Sequence, residues 1–256
     1  MLAWCRRRLR FSLAALLIAA ALIVVVCGSL SAAIRWKKES LQKLDQAGFV
    51  YLQRHPGWNP RLLNFLLANV DWVDKSQAKL SIEDIRLLNE HRRIETMTLV
   101  GVDFEAGALQ ELSPHVHVRE IDLSDSSLDA DGLCEIVRAC PRVQRLTISG
   151  TQVAGADLAV LQQASQLTTI TVDGRQVDGP GVSCLSAVPR LETITLVGKS
   201  VDDACLERAC QVPQVREIRV FWWTSVTDEG MARCRSAARE GLRFKYIGGG
   251  DPVLIE

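Results

Sequence analysis

His115 and His117 are the residues whose type and spacing first suggest chemistry, since alternate side chains of an extended segment share a face and two imidazoles there could hold a metal. Pro114 places them in a loop instead, and the nearest carboxylates, Glu111 and Glu120, sit further off. A solvated loop without metal is the expectation. Of the eight cysteines, the six beyond the apolar N-terminal segment, Cys134, Cys140, Cys184, Cys205, Cys210 and Cys234, show no CxxC spacing of a zinc or dithiol site and read as buried free thiols. Nucleophile-elbow, P-loop and dinucleotide patterns are absent, and the Gly-rich run at Gly248–Pro252 lacks the helix and lysine of a phosphate cradle. No Ser, His and Asp set stands out by position. The expectation is therefore a non-enzyme, with no catalytic, cofactor-binding or metal-binding residue and no small-molecule substrate. Thirty basic residues cancel thirty acidic ones, so no overall field recruits nucleic acid.

A self-similar unit organises most of the chain. Segments starting at Val70, Ile94, Val118, Val143, Leu167, Leu191 and Val215 are spaced by 24, 24, 25, 24, 24 and 24 residues. In each, apolar residues recur at offsets 0 and 3, and at offset 5 in all but the first, which has Lys75 there, as in Val118, Ile121 and Leu123. A further apolar residue follows at offset 10 in six of the seven, and at Val226, one place later, in the last. Pairs three apart, such as Ile85 and Leu88, Leu109 and Leu112, or Leu158 and Leu161, then predict a short helix. Gly101, Gly150, Gly174 and Gly198 occupy the turn after the strand, and Ser81, Asp129, Asp178, Asp202 and Thr227 stand where a helix N-cap is needed. A strand, turn and short helix cannot bury their apolar sides alone, so neighbouring copies must stack.

The strings "LTISGTQVAGADLAVL", "IDLSDSSLDADGLCEI" and "VTDEGM" resemble the leucine-rich repeat of the LxLxxTxVTDxGL type. The ordering of the whole chain resembles bacterial membrane-anchored leucine-rich-repeat proteins, and "GLCEIVRACPRVQRL" is similar to the cysteine-containing repeats of ribonuclease-inhibitor-like and F-box proteins. The resemblance implies an α/β solenoid with a parallel sheet on its concave side and short helices on its convex side. It is specific for fold and nearly silent on function.

Phe11 to Ile34 is an apolar stretch of 24 positions, interrupted only by Ser12, Ser29 and Ser31, and a bilayer core needs about 20. It reads as one N-terminal transmembrane helix at 11–34, with a cleaved signal peptide and secretion as the alternative. Arginines and lysines flank both ends and hardly discriminate orientation. The expected organisation is a basic segment 1–10, the span 11–34, a spacer and N-terminal cap 35–69, seven repeats at 70–241 and a C-terminal cap 242–256. Within 35–69, Lys38–Gln46 is expected helical, Phe49–Leu52 extended, and Asn59–Pro60 a helix start before Leu62–Leu67.

Strand side chains at offsets 2, 4 and 6 should face a partner or solvent. Trp72, Thr98, Asp122, Arg145, Thr147, Thr171, Thr195 and Arg219 are the candidate partner-binding residues on that face. Phe221, Trp222 and Trp223 form an aromatic cluster suited to an interface or to packing on the C-terminal cap. The expectation is a membrane-anchored interaction module, extracytoplasmic, acting as a receptor or scaffold for a protein partner. The alternatives are a structural envelope protein without a dedicated ligand and a substrate-recognition adaptor.

Overall fold

The computed structural model describes residues 13–54, 69–221 and 223–248. The start of the expected membrane span, the expected helix start at Asn59–Pro60 with Leu62–Leu67, Trp222 and the chain after Gly248 lie outside them.

The protein is α/β, built on a mostly parallel nine-stranded sheet in the order β1-β2-β4-β6-β7-β8-β9-β10-β11. Its strands are β1 (Val50–Arg54), β2 (Asn69–Asp74), β4 (Thr96–Thr98), β6 (Glu120–Asp122), β7 (Arg145–Thr147), β8 (Thr169–Val172), β9 (Thr193–Leu196), β10 (Glu217–Phe221) and β11 (Arg243–Ile247). Among the described residues only β1 pairs antiparallel, with β2. The other pairings fall at equal repeat positions, Ile121 opposite Leu146, Leu146 opposite Ile170, Ile170 opposite Ile194 and Ile194 opposite Ile218. A second, two-stranded sheet joins β3 (Lys79–Leu80) to β5 (Asp103–Phe104).

This stepwise pairing is also written in the backbone just before each strand. Arg119 N donates to Glu95 O, Gln144 N to Arg119 O, Thr168 N to Gln144 O, Glu192 N to Thr168 O and Arg216 N to Glu192 O, all at 2.8–2.9 Å. Val118, Val143, Leu167 and Leu191 are each 0 % exposed, so the offset-0 residues line one buried column. Stacking is what removes them from water, at roughly 1.5–3 kcal/mol per large apolar side chain.

Helices follow the strands: α2 (Ile82–Asn89), α3 (Ala130–Ala139), α4 (Gly179–Ser186), α5 (Asp203–Ala209) and α6 (Asp228–Ala237). The expected caps are made. Asp129 accepts from Gly132 N at 2.8 Å, Asp178 from Gly181 N at 2.7 Å, Asp202 from Cys205 N at 2.9 Å and Thr227 from Gly230 N at 3.0 Å. Ser81 and Asp84 close a reciprocal capping box on α2. Two units depart from expectation, because Leu109 lies in a 3-10 turn (Ala108–Glu111) and Leu158 and Leu161 in a 3-10 run (Gly155–Gln163). The physical reason is local. Gly107 at φ +79° and Ala154 precede these segments, and neither has a side-chain oxygen to cap an α-helix.

Helix α1 (Leu13–Gln46) runs unbroken past the expected boundary at Ile34 and ends against the first unit, with Leu44 0 % exposed. Most side chains in its first half lie outside the described residues. Among the described residues no helix is long and apolar enough to cross a membrane. Beside the end of α1, Lys75 Nζ sits 2.7 Å from Asp84 Oδ2 and 4.9 Å from the centre of the Phe49 ring. Burial pushes the Asp84 carboxyl up, but the hydrogen bonds from Lys75 and Ser81 win and hold it below its ordinary value.

Gly101, Gly150 and Gly198 turn the chain at φ +65°, +75° and +91°, whereas Gly174 is needed for space. A Cβ on Gly174 would meet Ser200 O at 2.1 Å, while one on Gly179 would meet nothing within 4 Å. Gly174→Ala should therefore cost about 1–3 kcal/mol through forced backbone shifts, and Gly179→Ala should be nearly neutral. Thermal melts of the two variants check this, and equal melting temperatures would contradict the close stacking of these turns.

Candidate binding face

Register brings the offset-2 and offset-4 side chains into two rows across the sheet. The first runs Trp72, Thr96, Glu120, Arg145, Thr169, Thr193, Glu217, Arg243. The second runs Asp74, Thr98, Asp122, Thr147, Thr171, Thr195, Arg219, Lys245. Asp74, Glu120 and Asp122 thus lie toward β2, most threonines in the middle and Arg219, Arg243 and Lys245 toward β11, with Arg145 and Glu217 out of that order.

A groove of about 580 Å³ opens over the middle and C-terminal part of this face. It unites seven expected residues: Arg145, Thr147, Thr171, Thr195, Arg219, Phe221 and Trp223. Three others lie elsewhere. Trp72 donates from Nε1 to Thr98 Oγ1 at 3.2 Å and borders a separate recess with Leu52, and Asp122 accepts from Ser124 N at 3.0 Å. Trp222 is outside the described residues. Part of the face is not solvated as expected, because Thr193 and Thr195 are only 8 % and 6 % exposed.

Charge in the groove is largely neutralised from within. Arg145 holds Glu120, and that hydrogen bond keeps its guanidinium above the ordinary value. Arg219 Nε donates to Glu217 at 2.6 Å, and Arg243 approaches the same carboxylate at 3.8 Å. Asp173, 5 % exposed, accepts from Gly150 N and Arg175 N at 2.8 Å and from the Arg175 guanidinium at 3.0 Å. Asp173, Ser149, Ser200 and Ile247 also line the groove and were not singled out from sequence. The signal for Asp173 was its offset-6 position, equivalent to Phe221 of β10. Phe221 and Trp223 close one end, ring centres 4.6 Å apart, with Trp223 43 % exposed. Such an arrangement can seat an apolar side chain at the aromatic end and hydrogen-bond an extended ligand along the hydroxyls and guanidinium groups.

A second polar cluster joins residues far apart in sequence. Ser40 of α1 donates from Oγ to Glu90 Oε2 at 2.9 Å and lies 3.0 Å from His91 Nε2, with Lys43 Nζ 3.7 Å from Glu90. Serine, histidine and carboxylate here do not form a nucleophile triad. The carboxylate holds the serine proton instead of orienting the imidazole, and Ser40 is 2 % exposed, so the arrangement latches α1 to the end of α2.

The expected solvated histidine loop is half corrected. His117 is exposed, but His115 is 0 % exposed, with Nε2 3.3 Å from Asn89 Oδ1 and Nδ1 without a hydrogen-bond partner. The loop's backbone closes inward, His115 N donating to Ala139 O at 2.7 Å, and that folds the ring under the neighbouring repeat. Among the described residues no group of His, Cys, Asp and Glu could hold a metal. All six cysteines are free, but the expectation of burial holds only for Cys140, Cys205 and Cys234; Cys184 and Cys210 are half-buried and Cys134 is exposed.

A scan of protein-family models finds no match to this chain. No curated protein matches it either.

Burial, then Arg92 and His91, lower the His115 pKa from 6.5 to about 4. Between those values the unfolded chain binds the extra proton, so stability is full above pH 6.5, falls as the pH drops, and stops falling from this group below about 4. From pH 7 to pH 5 the loss should be about 2 kcal/mol, or roughly 4–8 °C in melting temperature. His115→Gln should flatten the slope over that interval. An unchanged slope would show that His115 is not the group being protonated.

Proposed function

We propose that the chain is a membrane-tethered leucine-rich-repeat solenoid, non-catalytic, whose concave face recognises a protein partner. The observation that carries this reading is the groove of about 580 Å³ over β7 to β10, bordered by Arg145, Arg219 and the Phe221–Trp223 pair. In-register stacking of 24-residue units supports the solenoid. The apolar sequence of 11–34, and Leu22, Val24, Val25 and Val26 exposed at 60–69 %, support a membrane anchor. An extracytoplasmic array is the orientation we favour, and protease added to intact cells should then cleave it. Protection until lysis would reverse that assignment.

Partner recognition is tested by photo-crosslinking in intact cells. Thr171→Arg fills the groove floor and Trp223→Ala removes its exposed aromatic wall. Each should reduce the dominant crosslinked species by about tenfold, the effect of losing roughly 1.4 kcal/mol of binding, with melting temperature unchanged. A diffuse crosslinking pattern indifferent to both changes would instead support a structural envelope protein without a dedicated ligand. A large fall in melting temperature for Trp223→Ala would make the aromatic pair part of the C-terminal cap.

A further inference from the structure

Charge on this protein is neutral in sum but segregated in space. The two turn positions just before offset 0 read Arg92–Arg93, Val116–His117, Pro141–Arg142, Ser165–Gln166, Pro189–Arg190 and Pro213–Gln214, without one carboxylate. Backbone bonds between successive units stack these turns along a single edge of the sheet, and Arg190 NH1 reaching Gln166 Oε1 at 2.9 Å shows the columns touching. Arg119 and Arg216 add to that rim from the next position, where Glu95 and Glu192 also stand.

Arg92, Arg93, Arg119, Arg142 and Arg216 are exposed and have no ion-pair partner among the described residues. Arg86, Arg138, Arg145, Arg175, Arg219 and Arg233 each hold a carboxylate. The opposite edge carries the acidic helix starts Asp129, Asp131, Asp178, Asp202, Asp203 and Asp228. A basic rim without ion pairs among the described residues fits an anionic partner.

The direction of α1 says which one. β1 begins at Val50 opposite Asp74, the far end of β2, so α1 ends on the acidic side. Nine residues back from Gln46, about 14 Å along the helix, Lys37 acts on His91, and between them Ser40 and Lys43 meet Glu90 and His91. Glu90 and His91 directly precede Arg92, at the basic rim. The rest of α1 therefore leaves the array past that rim, with Trp36 56 % and Val24, Val25 and Val26 60–69 % exposed. If the span ends at Ile34, six residues, about 9 Å of helix, separate it from the latch at Ser40. That distance is little more than the depth of a headgroup layer, roughly 5–8 Å.

We propose that the arginine rim, Arg92, Arg93, Arg119, Arg142 and Arg216, with Val116 exposed among them, rests on the anionic headgroups of the bilayer that α1 enters. The array is thereby held against the membrane at a fixed tilt, its acidic edge away from the lipid, instead of swinging on a stalk. This rests on the anchor reading above. Each arginine near an anionic surface should favour contact by about fivefold, and salt should weaken it.

The test is hydrogen–deuterium exchange on the full chain in vesicles of phosphatidylcholine alone or of about 70:30 phosphatidylcholine and phosphatidylglycerol. Amides of 91–93, 115–119 and 142–144 should exchange at least about threefold more slowly in the anionic vesicles, a difference that high salt removes. Amides near Asp129 and Asp202 on the acidic edge should not respond. Arg92→Glu with Arg93→Glu and Arg142→Glu should abolish the protection while the chain still floats with vesicles. Equal exchange in both lipids, with flotation intact, overturns the rim contact and leaves the anchor standing. A chain that does not float with vesicles overturns the anchor and the rim together. Protection of the same loops by a short RNA duplex and not by phosphatidylglycerol overturns the lipid assignment.

Discussion

One strand of three or four residues cannot hide its own apolar side, and the whole molecule is organised by the way neighbouring units solve that problem. Ile121, Leu146, Ile170, Ile194 and Ile218 face each other in step, so every unit covers the next. A slip of one residue would turn each of them outward and bring the threonines and arginines in. The open face is thus a by-product of the buried one. Its rows of Trp, Thr, Glu and Arg exist because the alternate positions are already committed to the core.

The same stacking governs where charge accumulates. Each helix needs an acceptor at its start, and Asp129, Asp178 and Asp202 supply it from one edge. The return turns at the other edge have no such need, and across the array the two positions before each unit carry arginines and no carboxylate. On the open face, Glu120 with Arg145 and Glu217 with Arg219 and Arg243 cancel locally, which leaves shape, hydroxyls and the Phe221–Trp223 pair as its distinguishing features. An exposed ion pair in such a groove contributes little affinity by itself but penalises partners that cannot match it.

Helix α1 is packed into the array at its C-terminal end. Leu41 and Leu44 pack into the core, Ser40 ties to Glu90 and His91, and Phe49 lies under Lys75 and beside the Lys75–Asp84 pair. The first unit therefore does not end in an open apolar face, as a stacked array otherwise would. It also means that whatever holds the start of α1 holds the sheet at a defined angle.

By itself the amino-acid order determined the repeat length, the strand positions, the inward residues and the helix caps. Those properties are local: alternation within a strand, spacing of three in a helix and an oxygen before its first amides are visible in one short window. It also marked seven residues that the groove brings together, because the register follows from the repeat. Only the tertiary structure decided that Leu109, Leu158 and Leu161 sit in 3-10 turns, that His115 is buried while His117 is not, and that Cys134 is exposed. It alone joined Ser40 to His91, fifty-one positions apart, and ranged the unpaired arginines on one edge beside α1. Burial and partnership are set by what arrives from neighbouring units and from the distant end of the chain, and no single repeat carries that information.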